Sequence, residues 1–150
     1  MTLRPAIGAL ATALLLAVAA CGPAGVSLEA EGATTQPALT EWANQQFNEE
    51  RWGEPGVHQG AGGIGPGSDG GLEFTPGKAG WYAIGMACEG AESIAVTVTV
   101  ADGDLGTGNT SCGSEVRTTM ELPASKVTIA VEGAEDSGMW ALAVTPADAP

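Results

Sequence analysis

Apolar residues recur at every second position through most of the second half of the chain, and that period sets the fold class. Between Trp81 and Cys88, the side chains of Tyr82, Ile84, Met86 and Cys88 share one face. From Glu92 to Val100, Ile94, Val96, Val98 and Val100 point one way and Ala95, Thr97 and Thr99 the other. Val116, Thr118, Met120 and Leu122 fall in phase, as do Val127, Ile129 and Val131, and then Trp140, Leu142 and Val144. A shorter strand starts at Leu72-Glu73-Phe74 and is turned by Pro76-Gly77-Lys78. Such alternation, rich in β-branched residues and punctuated by Gly, Pro and Asp, is the signature of half-buried strands. Six strands with no helix between them predict an all-β domain over residues 72–146, an antiparallel β-sandwich or jelly-roll-like barrel. One inward face per strand makes a small core, so a covalent cross-link would be useful to it.

The first half follows other patterns. In residues 38–52, Leu39, Trp42, Ala43, Gln46 and Phe47 lie on one helical face, with Thr40, Glu41, Asn44, Gln45 and Asn48 opposite. A short amphipathic helix of this kind is marginal alone in water and is expected to pack on something. Residues 53–71 are so rich in glycine that they predict a flexible loop. They do not form a phosphate-binding loop, because no GK[ST] follows and no strand–loop–helix context surrounds them. Residues 21–37 read as a flexible tether and 147–150 as a C-terminal tail.

Ahead of these segments, Arg4 and the uncharged run Ala6–Ala20 have the form of an export signal, too short for a spanning helix. The run ends in Val18-Ala19-Ala20-Cys21-Gly22, which resembles a bacterial lipoprotein box. The resemblance implies that residues 1–20 are cleaved and that Cys21 becomes the lipid-modified N-terminus. The protein would then sit on the extracytoplasmic face of the cytoplasmic membrane. One acyl chain gives only marginal binding at about 0.8 kcal/mol per buried CH₂. A diacylglyceryl cysteine supplies two chains and needs no transmembrane helix.

Charge narrows the partners. The chain carries 18 acidic and 5 basic residues, a formal net charge of −13, and Arg4 would leave with the leader. Such a surface repels phosphate backbones, so no nucleic-acid partner is expected. It also repels anionic headgroups, which leaves the lipid on Cys21 as the membrane contact. Solubility and spacing from an anionic envelope account for the acidity; attraction of cations or basic partners is the alternative. Abundant Ala, Gly, Thr and Val with few lysines suggest a high-GC bacterium.

Three cysteines fit this picture. With Cys21 taken by lipid, Cys88 and Cys112 remain as a pair for an oxidising compartment, and a bridge between them is expected. The alternatives are two free thiols or half a metal site. Zinc is disfavoured because no CxxC occurs and the single histidine, His58, is distant in sequence.

The strings Gly80-Trp81-Tyr82, Ala87-Cys88-Glu89-Gly90, Val96-Thr97-Val98, Cys112-Gly113, Val127-Thr128-Ile129 and Gly138-Met139-Trp140-Ala141-Leu142 are similar to the C-terminal β-domain of small actinobacterial secreted lipoproteins. The likeness covers about residues 72–146 and the lipoprotein box. It implies a β-sandwich with one disulfide and no assigned catalytic residue. More distantly, the chain resembles the jelly-roll binding modules attached to secreted hydrolases.

Candidate chemistry is sparse. Asp102 and Asp104 could contribute to a cation site, but calcium needs six to eight oxygens. Counting from Asp102, Gly106, Thr107 and Gly113 stand where a calcium loop of EF-hand type needs an oxygen ligand, glycine and glutamate. An acidic hairpin loop is the simpler expectation, and no metal or other cofactor is expected. Trp81 lies opposite Tyr82 on a face of small residues, Ala83, Gly85 and Ala87, and could stack on a sugar ring. Alternatively, Trp42, Phe47 or Trp52 covers it. No GxSxG occurs and His58 lies in the glycine-rich stretch, so nucleophilic catalysis has no visible machinery. The expectation is a non-enzymatic lipoprotein whose β-sandwich engages a protein of the cell envelope. The alternative is a glycan- or small-ligand-binding module.

Overall fold

The structure, a computed structural model, describes residues 36–47, 54–66, 69–133 and 137–150. The expected signal segment, Cys21 and the tether up to residue 35 lie outside the described residues, as do residues 48–53, including Trp52. The helix α1 spans Gln36–Gln46. Eight strands follow: β1 (His58–Ile64), β2 (Asp69–Phe74), β3 (Gly80–Glu89), β4 (Ser93–Val100), β5 (Gly103–Ser111), β6 (Val116–Leu122), β7 (Val127–Gly133) and β8 (Gly138–Pro146). They form two four-stranded sheets, ordered β1-β8-β3-β6 and β2-β7-β4-β5. Every pairing is antiparallel. The chain crosses between the sheets at every connection except the β4–β5 hairpin, which is the jelly-roll arrangement of two Greek keys.

The inward faces agree with the alternation in the sequence. Tyr82, Ile84, Cys88, Leu122, Trp140, Leu142 and Val144 face Ile94, Val96, Val98, Val127, Ile129 and Val131 across a buried core. The buried phenol of Tyr82 donates to the Lys78 carbonyl at 2.8 Å. The predicted disulfide is present: Cys88 at the end of β3 is bonded to Cys112 just beyond β5, tying one sheet to the other. The backbone seals the same corner. The Gly113 N–H donates to the Cys88 carbonyl at 2.9 Å and the Cys112 N–H to the Glu92 carbonyl at 3.0 Å.

Two strands occupy segments expected to be loops. The stretch 53–71 contains β1 and the start of β2, so the sandwich begins at His58 rather than at residue 72. The glycines there leave room for one ring. A Cβ on Gly62 would lie 2.9 Å from Trp140 Nε1, and one on Gly60 would lie 3.3 Å from the far edge of the same indole. On β2, a Cβ at Gly70 would come within 2.5 Å of Nε1. Trp140 thus fills from β8 the volume that apolar side chains of β1 and β2 would otherwise take. Its Nε1 is buried without a hydrogen-bond partner. The second such strand is β5, which takes up most of the expected 102–109 loop. It is held by its ladder to β4, in which Val96 faces Gly108 and Val98 faces Gly106.

α1 packs against the outer face of the β1-β8-β3-β6 sheet. Leu39, Ala43 and Phe47 are buried, and Ala43 and Phe47 cluster with Ala87, Ala141 and Ala143. The small residues of β3 and β8 form a floor on which a helix can lie closely. A Cβ on Gly85 would be 3.0 Å from the Phe47 ring. Trp42 at the helix edge donates from Nε1 to Glu89 Oε2 at 2.7 Å. β3 and β8 are therefore covered on both faces, which explains their nearly continuous apolar runs.

Candidate functional site

The two sides of the sandwich differ. On one side, β1 and β2 come together across the sheets and Trp140 closes the space between them. On the other, the edge strands β5 and β6 stand apart, leaving a cleft of about 200 Å³ that opens to solvent. Its floor is Ile84 and Met86 of β3 with Val96 and Val98 of β4. One wall is β6, through Val116, Thr118 and Met120; the other is β5, through residues 106–110.

The cleft follows from side-chain size. The inward positions of β5 are Gly106, Gly108 and Thr110, opposite Val98, Val96 and Ile94 of β4. A Cβ on Gly106 would touch Met120 Cε at 3.3 Å, so that methionine closes one end. At Gly108 an added Cβ would meet nothing within 4 Å. Val116 and Thr118 on the inward face of β6 therefore have little to pack against. Val116 is 37% exposed although its phase turns it toward the core. The Cys88–Cys112 bridge holds the far end of β5 to β3 and so fixes one end of the opening.

The floor is apolar; the walls add Thr107, Asn109 and Thr118, which are exposed, and Thr110, which is the one buried polar residue of the lining. Thr110 is 6% exposed, and its hydroxyl reaches the Ser111 carbonyl at 3.5 Å, well beyond the usual 2.5–3.0 Å of a hydroxyl bond. None of the described residues lining the cleft is ionisable. Arg117, on the opposite face of β6, is bound by Glu115 Oε1 at 2.8 Å. An arrangement of this kind, an apolar floor with few polar groups, is that of a ligand pocket.

The residues singled out from the sequence lie elsewhere. Trp81 is on the outer face of β3, half-buried, in register with Glu121 of β6. At the other end of its small-residue floor, Phe47 lies on Gly85 and α1 covers Ala87. Asp102 and Asp104 are exposed on either side of Gly103. Among the described residues no three His, Cys, Asp or Glu side chains converge as metal ligands. His58, expected in a flexible loop, opens β1 and stacks on Phe74 with centroids 4.5 Å apart. Alternation alone does not show the cleft. The available signal was the in-phase Val116-Thr118-Met120 face set against glycines at 106 and 108. No protein-family model matches the chain, and none of the curated proteins does.

Proposed function

We propose that this chain is a lipid-anchored extracytoplasmic binding protein whose jelly roll presents the β5–β6 cleft to a small ligand. The cleft carries the reading: two glycines on an inward strand face leave an apolar space of about 200 Å³ open to solvent. A non-catalytic role is favoured because no described lining residue can act as general acid or base. The sequence Val18-Ala19-Ala20-Cys21-Gly22 supports attachment through Cys21, and the Cys88–Cys112 disulfide suits an oxidising compartment. Residues 22–35 reach about 50 Å at full extension, which would keep the domain close to the membrane.

An envelope protein as the partner is the second reading. Leu105 and Val116, 41% and 37% exposed on the two edge strands, favour it. Native mass spectrometry of the full chain extracted from membranes separates the two. A noncovalent small-molecule adduct, together with an acylated N-terminal Cys21, is the expected result. Adduct-free protein that copurifies stoichiometrically with one polypeptide would favour the protein partner. A mature product containing an unmodified 19–23 peptide would end the lipoprotein assignment.

A further inference from the structure

We propose that the β5–β6 cleft takes an uncharged apolar group of single-ring or short-alkyl size, carrying one hydroxyl or carbonyl that meets the Thr110 hydroxyl. This inference rests on the cleft being a binding site and names what fits there. Size is the first argument. The cleft, about 200 Å³, is slightly larger than the engineered apolar cavity of ~150 Å³ that takes up benzene or xenon. A group of one ring or a few methylenes matches that space.

Charge is the second argument. The chain carries a net −13, yet no described residue lining the cleft is ionisable. A carboxylate entering would lose hydration with no cation to pair it and would meet an acidic surface on the way. A buried ammonium would find no counter-charge among the lining residues. Neutral groups escape both costs.

The third argument is the polar handle. Thr110 is 6% exposed and its side chain lies on the inward face of β5, while its nearest acceptor is 3.5 Å away. A buried hydroxyl so weakly engaged gains from a ligand oxygen. Thr118 on the facing wall brings a second hydroxyl, which is exposed to solvent. Met86 and Met120, both partly exposed, border the space with unbranched, adaptable side chains. The cleft therefore favours an apolar body over a specific outline. A short acyl chain with its ester carbonyl and a free small alcohol present the same chemistry, an apolar body with one neutral oxygen.

The test is an NMR titration of the full mature chain with 1-hexanol, benzyl alcohol, monohexanoylglycerol and hexanoate. The neutral probes should shift the Gly106, Gly108 and Thr110 amides and the Met86 and Met120 methyls saturably. Hexanoate should bind more than about tenfold more weakly than hexanol. Tighter binding of monohexanoylglycerol than of hexanol points to a lipid chain as the source, and the reverse order to a free compound. Gly108→Leu, placed where an added Cβ meets nothing within 4 Å, should fill the cleft, keep or raise the thermal midpoint, and weaken hexanol binding about tenfold or more. Thr118→Leu fills it from the opposite wall and serves should Gly108→Leu fail to fold. Thr110→Val should weaken hexanol about fivefold. Hexanoate binding as tightly as hexanol, or a folded cleft-filling variant binding hexanol as the wild type does, overturns the proposal. Absent hexanol binding, with a native adduct that Gly108→Leu displaces, rejects this ligand class while leaving the cleft as the site. An adduct that the filled variants retain rejects both.

Discussion

The glycines of β1 are the most direct place to test the packing. Gly62→Ala adds one methyl that would sit 2.9–3.0 Å from Nε1, Cε2 and Cζ2 of Trp140. That ring is 3% exposed and walled by the core, so it has little room to move. Overpacking of this kind costs typically about 1–3 kcal/mol. Against it stands the gain of about 0.5–1 kcal/mol from replacing glycine in a strand. The net expectation is a loss of about 1–2 kcal/mol, or roughly 5–10 °C in Tm for a domain of this size. Urea unfolding with the disulfide intact measures it. Gly63→Ala is the internal control. One residue away on the opposite face, its Cβ would meet only the Gly138 carbonyl at 3.8 Å, and the variant should match or slightly exceed the wild type. In a Trp140→Phe background the cost of Gly62→Ala should shrink by about 1 kcal/mol or more, a coupling that a double-mutant cycle isolates. If Gly62→Ala stabilised the protein as much as Gly63→Ala, the glycines would not be there to accommodate the indole, and the explanation of β1 would fail.

Other expectations can be checked on the same material. Reducing the Cys88–Cys112 bridge, or replacing both residues with serine, should cost about 3 kcal/mol for a loop of this length; a loss well under 1 kcal/mol would show that the bridge does not constrain the unfolded chain. Trp140→Phe alone should change stability by less than about 1.5 kcal/mol, because the lost packing is offset by removal of a buried donor without a partner. Trp140→Ala should cost about 3–5 kcal/mol, and equal effects of the two would refute that balance. Ala87→Leu, beneath α1, should release the helix and leave the sandwich folded, seen as lost amide protection over residues 36–46 with β-strand protection retained. Retained helix protection would show that α1 does not need this close floor.

Where side chains themselves mark the faces, the fold is legible from the amino-acid order. β3, β4, β7 and β8 have large apolar residues at most inward positions, so period two reports both the strand and its orientation. β1 and β5 are hidden because glycine holds their middle inward positions, Gly60 and Gly62 in one and Gly106 and Gly108 in the other, and the reason lies elsewhere in the chain. For β1 it is an indole contributed by β8; for β5 it is a space left open against β6. Neither cause is local, so local propensity assigns both segments to loops. The helix was visible in its buried face, with Leu39 and Ala43 inward and Phe47 just past its end, although it runs Gln36–Gln46 where 38–52 was expected, residues 48–52 lying outside the described ones. Counting cysteines anticipated the Cys88–Cys112 bond, since assigning one cysteine to lipid leaves an even pair. The cleft needed two edge strands to be set opposite each other, which only the topology supplies.

The strand order also governs when the domain can form. β8 lies at the middle of its sheet, between β1 and β3, and pairs Val144 with both His58 and Ile84. Until residues 138–146 are available, β1 has no neighbour in that sheet, and neither Trp140 nor Ala141 and Ala143 beneath α1 are in place. Assembly must wait for the last of the eight strands and then proceed through distant pairings, which are slow to find. A chain that lacks β8 therefore carries an unfinished sheet, and the domain closes only in one late step.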